Sequence, residues 1–241
     1  MAAIRVAAEM VIVGCSDGPS FGAPEPRSTQ GESILDLWRG SIIAALLVGA
    51  LVWGLIIWSV LRYRRRDDDV PDQTPENIPI ELFYTIIPVL IVAGLFFFTV
   101  AVERDVTDTV DDPDLTVEVV GFQWQWQFTY PDEDIVITGE ATGYPPELVL
   151  PIGETVRFEL MAADVNHSFW VPDFLYKRDL IPGVDNEIDV EVTEAGTYTG
   201  RCAEFCGLDH YKMNFTVRAV SPDEYDTWVD ERQAAAEEAS G

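Results

Sequence analysis

Residues 40–61 read GSIIAALLVGALVWGLIIWSVL, 22 positions without a charge between Arg39 and Arg62. A second charge-free run, LFYTIIPVLIVAGLFFFTVAV, fills the 21 positions 82–102 between Glu81 and Glu103. At 1.5 Å per residue each run covers a hydrocarbon core of about 30 Å as a helix. Two such runs in 241 residues exceed what the core of one small domain needs. The expectation is a two-helix transmembrane hairpin over 34–103, with spans at 40–61 and 82–102. Pro88 falls inside the second span, where neighbouring helices make proline tolerable. Trp38 stands just before the first, at interface depth.

The hairpin has a direction. Arg62, Arg64, Arg65 and Arg66 follow the first span, and no comparable cluster marks the other ends. Basic residues stay cytoplasmic, so the segment 62–79 is inside and all that follows Glu103 is outside. The expected location is the plasma membrane, multi-pass, with an extracytoplasmic C-terminal domain. That domain is acidic: from Glu103 onward there are 31 acidic and 8 basic residues, against 11 and 7 before it. Such a surface repels nucleic acid and attracts basic partners. Near the N-terminus a basic start and an apolar run lead to Gly14-Cys15, the pattern of a bacterial lipoprotein cleavage site, with Cys15 as the lipidated residue. Residues 1–33 are therefore a leader followed by a Ser/Gly/Pro-rich exposed linker.

From 104 to 221 the pattern changes to short β-type runs: 115–130, 135–137, 148–150, 156–161, 167–171, 188–192, 197–201 and 213–220. Pro131-Asp132, Pro145-Pro146, Gly153, Pro182-Gly183 and Gly196 separate them. This spacing predicts a small all-β sandwich or barrel. Residues 222–241 read as a short helix and tail.

The chemistry concentrates in Cys202-Ala-Glu204-Phe-Cys206-Gly-Leu-Asp-His210-Tyr-Lys-Met213, a loop between two of these runs. It holds two of the three cysteines and one of the two histidines; the other histidine, His167, opens an upstream strand. Thiolates, imidazoles and a thioether are soft-to-borderline donors that select copper over magnesium, calcium or manganese. One copper needs a single cysteine, so two thiolates suit a pair of coppers, with an imidazole on each and Met213 as a weak ligand. The competing readings are a Cys202–Cys206 disulfide, a Cys2His2 zinc site and a catalytic cysteine. A disulfide explains neither histidine, and zinc has no use for Met213.

Cys-x-Glu-x-Cys-x3-His-x2-Met, together with His167-Ser-Phe-Trp-Val-Pro172, resembles the dinuclear copper (CuA) site of cytochrome c oxidase subunit II. The resemblance covers the hairpin and the β domain, which it implies is a cupredoxin-like Greek-key barrel. It implies that His167, Cys202, Cys206, His210 and Met213 bind copper with the backbone carbonyl of Glu204, whose side chain reaches a magnesium or manganese ion shared with subunit I. It also implies that Trp124, in Gly121-Phe-Gln-Trp124-Gln-Trp126, receives electrons from a donor cytochrome. Glu81, in Glu81-Leu-Phe-Tyr-Thr-Ile-Ile-Pro88, stands at a proton-uptake channel by the same resemblance. The sequence departs from the family at Gln125, often Tyr, and at Val184, often Arg.

The implied function is electron transfer from a soluble or tethered cytochrome c, through copper, to haem in subunit I of a proton-translocating oxidase that also has a subunit III. This chain alone cannot reduce oxygen, since both histidines are committed to copper and no Cys-x-x-Cys-His haem motif is present. Two other classes stay open: a membrane-anchored copper carrier or assembly protein, and the CuA subunit of a nitrogen-oxide reductase. A quinol oxidase subunit would lack the copper ligands.

Overall fold

The structure, a computed structural model, describes residues 19–65, 73–140 and 144–240. Cys15 and Arg66 lie outside the described residues. The chain forms two compact units. One contains Asp36–Glu103; the other combines Gly22–Leu35 with Arg104–Gly241.

In the first unit lie most of helix α1 (Thr29–Arg62) and helix α2 (Ile78–Thr107). Both run beyond the charge-free spans, and both are long and apolar enough to cross a membrane. Their large apolar side chains, such as Trp53, Leu61, Phe83 and Phe96, are exposed on the protein surface, where lipid rather than a protein core must cover them. The start of α2 is capped reciprocally. Ile80 N–H donates to Asn77 Oδ1 at 3.3 Å, and Asn77 N–H donates to Glu81 Oε1 at 2.9 Å. These bonds occupy donors that a helix N-terminus otherwise leaves unpaired.

The second unit is built on two five-stranded sheets. The strands are β1 (Leu115–Phe122), β2 (Gln125–Tyr130), β3 (Ile135–Thr138), β4 (Glu147–Pro151), β5 (Thr155–Ala162), β6 (His167–Val171), β7 (Tyr176–Leu180), β8 (Asn186–Glu191), β9 (Gly196–Cys202) and β10 (Asn214–Val220). One sheet has the order β3-β2-β1-β5-β8 and the other β4-β10-β9-β6-β7. The pairs β1/β5 and β4/β10 are parallel. Strict alternation buries Leu115, Val117 and Val119 of β1 and Trp126, Phe128 and Tyr130 of β2. The two sheets interlock through aromatics. Trp126 meets Phe215 at 5.3 Å between ring centroids, and Phe215 stacks on Phe169 at 4.9 Å. Gly200 in β9 makes room for that stack, because a Cβ there would fall 2.0 Å from the Phe215 ring.

Four expectations are refined. The run 115–130 is two strands, broken at Gln123-Trp124 and folded back as an antiparallel hairpin. Strand β7, which carries Lys177, Arg178 and Asp179, was hidden by its charges. The C-terminal segment is a helix, α3 (Pro222–Ser240), whose Tyr225 and Trp228 are buried against Tyr130. The stretch before the first span is not an exposed linker throughout. Ser28 is completely buried, bridges Val192, and donates through Oγ to Phe174 O at 3.0 Å. Arg27 N–H donates to Asp173 O at 2.7 Å and Thr193 N–H to Arg27 O at 3.0 Å. Residues 22–35 are thus part of the β unit.

Candidate metal centre

The site forms where β6, β9 and the β9–β10 loop meet. Strands β6 and β9 pair with Phe169 opposite Cys202, which brings His167 at the start of β6 beside Cys202 at the end of β9. His167 Nδ1 lies 3.8 Å from Cys202 Sγ. The loop then folds back: Cys202 N–H donates to Met213 O at 2.9 Å, and Ala203 N–H donates to Ser168 O at 3.1 Å. This closure puts Cys206 Sγ 3.8 Å from Cys202 Sγ, 3.5 Å from His210 Nδ1 and 3.7 Å from Met213 Sδ. The Glu204 carbonyl oxygen is 3.2 Å from Cys202 Sγ. All six groups expected from the sequence therefore converge. The two thiols are free, which excludes the disulfide in this structure. Among the described residues, His167, Cys202 and Cys206 are the one group of His, Cys, Asp or Glu side chains close enough to hold a metal. All three are buried, as is Met213.

Burial sets the electrostatics. It pushes the Cys202 thiol up, but hydrogen bonding with His167, with the Glu204 and Ser168 backbone and with His210 together outweighs this and brings the thiol down to about 7. For Cys206, burial and then the neighbouring Cys202 charge both act upward, to about 12. Burial disfavours imidazolium at His167, yet Cys202 and Asp164 together hold its pKa above the usual histidine value.

Two residues that sequence reasoning left without a role complete the site. Asp164 Oδ1 is 2.8 Å from His167 Nε2, and its Oδ2 accepts Gln123 N–H at 2.8 Å. The Gln123 side-chain amide donates to Cys206 O at 2.7 Å, and the Trp124 indole N–H reaches the same carbonyl at 3.3 Å. Trp124 is half-buried against the core and directly linked to the metal loop. The signal for Asp164 was a carboxylate three residues before a ligand histidine; for Gln123 the sequence carried none. Glu81 caps α2, in the other unit.

A two-helix membrane anchor joined to an all-β cupredoxin-like domain with one buried thiol–imidazole–thioether cluster defines a membrane-bound copper protein of electron transport. Residues 20–102 match the family model described as cytochrome c oxidase subunit II, transmembrane domain, and residues 143–220 match that of its periplasmic domain. The chain belongs to the cytochrome c oxidase subunit II family. It is 43% identical to "Probable cytochrome c oxidase subunit 2" of Streptomyces coelicolor, over 88% of this chain and 80% of that one. It is 33% identical to cytochrome c oxidase subunit 2 of Mycobacterium tuberculosis, over 96% and 81%. The solved periplasmic domain of subunit II of cytochrome oxidase from Bradyrhizobium japonicum superposes with a TM-score of 0.48 at 32% identity, covering 53% of this chain and 99% of that one. The protein is accordingly a membrane-anchored, copper-binding subunit of a haem-copper oxidase, with its β domain on the outer side.

Proposed function

We propose that His167, Cys202, Cys206, His210 and Met213, with the Glu204 carbonyl, hold copper as the dinuclear CuA centre through which this subunit takes electrons from a cytochrome c and delivers them toward haem in subunit I. The observation that carries this reading is the pairing of donors. Two free thiols face each other at 3.8 Å, and each has its own imidazole nitrogen, at 3.8 and 3.5 Å. The donor set fits copper: it is soft, buried and twice thiolate. A copper pair held by these residues would supply a one-electron store.

The chain's own residues prepare that store. Asp164 accepts the His167 Nε2 proton, which leaves the Nδ1 lone pair directed at the cluster. Both strands that present His167 and Cys202 are paired along their length, so the ligands have little freedom to shift. Met213, packed in the core, keeps water from the thiol side. Trp124 is the residue we assign to electron uptake, since its indole bonds the Cys206 carbonyl. For magnesium or manganese Glu204 is the residue we assign, with further oxygen ligands of a hard cation coming from subunit I. Glu81 is assigned to proton uptake, and Cys15 to lipid attachment. The Asn77 cap bond favours a second reading of Glu81, as a helix-start residue only; proton uptake by the oxidase carrying Glu81→Gln separates the two, being slowed only in the first.

Copper titration of the full chain in detergent tests the centre. Two coppers per chain, with an electron spin resonance signal split by two equivalent nuclei, are expected. Cys206→Ser should leave one copper and collapse that signal. One copper in the native chain, or a Cys202–Cys206 disulfide surviving in the copper-loaded protein, would overturn the assignment.

A further inference from the structure

Both connectors leading to the membrane helices are fastened to one edge of the β unit. The first is held where β8 ends: Thr193 N–H donates to Arg27 O, Ser28 bridges Val192, and Glu191 N–H donates to Gln30 Oε1 at 3.2 Å. The second, between α2 and β1, is held within β8 by a charged clamp. Arg157 and Asp189 face each other across the β5/β8 pair. Their ion pair is bidentate, with Nε to Oδ1 and Nη2 to Oδ2 both at 2.8 Å, and Asp189 is almost fully buried. This pair grips a single peptide residue from both sides. Val110 N–H donates to Asp189 Oδ2 at 2.7 Å, and Val110 O accepts from Arg157 Nη2 at 2.5 Å. The Val110 side chain itself is exposed.

This arrangement is not what the local charges favour. The connector carries Asp108, Asp111, Asp112 and Asp114, and it runs beside a strand carrying Glu187, Asp189 and Glu191. Left to themselves these carboxylates repel, and an exposed acidic segment of this kind would swing free. Arg157 supplies the cation that lets a backbone N–H dock on a buried carboxylate. Charge-assisted bidentate bonds are the strong, geometrically specific kind.

We infer that Arg157 and Asp189 are positioning residues for electron delivery out of the metal centre: by gripping Val110 they take up slack in the connector that leads from α2 to β1, which shortens the tether on which the metal loop delivers its electron. The inference rests on the electron-transfer reading above, because only a delivery step is sensitive to such slack. A misplacement on the order of 1 Å suffices to slow a positioned reaction about a hundredfold.

The test uses the assembled oxidase. Asp189→Asn weakens the clamp from within; Val110→Pro removes the gripped N–H at a position whose side chain is exposed. In both, the copper absorption and spin-resonance spectra should match the native subunit, and reduction by a small artificial donor should be unchanged. Onward transfer to haem should slow about tenfold, with Arg157→Lys intermediate because lysine keeps the charge but lacks the planar fork that matches the Asp189 carboxylate. An unchanged onward rate in both variants, with the native copper spectrum, overturns the inference. A native centre holding a single copper would instead sink the underlying reading. Should the variants fail to assemble, hydrogen exchange over residues 105–114 of the native full chain in detergent decides. Protection supports the clamp, and exchange at the rate of free peptide overturns it.

Discussion

Asp164 holds the His167 ring from behind: its Oδ1 sits 2.8 Å from Nε2 while Nδ1 looks toward Cys202 Sγ. The same carboxylate accepts the Gln123 N–H, next to the tryptophan that bonds the metal loop. One side chain thus orients the His167 ring and anchors the turn that carries Trp124. Removing a carboxylate in this position costs metal sites 10–100-fold in affinity as a rule of magnitude, roughly. Asp164→Ala should therefore weaken copper binding by about that factor in competition against a chelator. Unaltered affinity would show that β6 alone fixes the ring.

Of the two thiols in the metal-free pocket, one should titrate near neutrality. The Cys202 thiol is brought down to about 7 and Cys206 is pushed up to about 12. Thiolate absorbance in the ultraviolet should therefore rise by one equivalent with a midpoint near pH 7, and this step should move upward in His167→Ala. The depressed Cys202 contributes stability in full above the ordinary thiol value of 9.0 and loses it as pH falls through about 7. His167 works in the opposite sense. Its raised pKa contributes below the ordinary histidine range and fades as pH rises through the folded value. Since Cys206 still carries its proton at neutral pH, copper binding must release it, and apparent copper affinity should climb with pH.

Gly31 is the position where the N-terminal strap tolerates no side chain. A Cβ there would fall 2.6 Å from the Phe174 carbonyl oxygen, a backbone atom that cannot swing away. Gly31→Ala should cost about 1–3 kcal/mol, the range for overpacked sites. The effect is read as a lowered thermal transition of the β domain in the detergent-solubilised chain, followed by its tryptophan fluorescence. A transition equal to that of the native chain would mean the strap is dispensable.

Docking of a basic donor cytochrome should weaken with salt. Net charge from Glu103 onward is −23, from 31 acidic and 8 basic residues. Exposed charges are screened beyond about 10 Å at 0.1 M salt. The bimolecular rate of copper reduction by a basic cytochrome should fall steeply between 10 and 200 mM salt, roughly the range where that screening length contracts. A flat profile would show that apolar contacts such as exposed Phe205, Leu208 and Tyr211 govern the encounter.

The convergence of these side chains was legible because few residue types bind copper and the sequence has only two histidines to offer. The spans were legible because lipid demands unbroken apolar length. Strand β7 was not, since Tyr176–Leu180 reads YKRDL and its place is set by pairing with β6 rather than by its own pattern. Nor was the burial of Ser28. A Ser/Pro/Gly-rich stretch looks like a linker until a partner 146 residues away accepts its hydroxyl. Gln123 acts through contacts between loops, which no spacing rule encodes.

Because Gln30 bonds Glu191 across 161 positions, the outer domain takes pieces from both ends of the hairpin. It cannot finish closing while the ribosome is still making its strands. The opening segment has to be exported first and then wait, beyond the bilayer, for the last strands to arrive. Assembly of the copper-binding half is in that sense an event of late biogenesis, and its completeness reports that the hairpin was inserted the right way round.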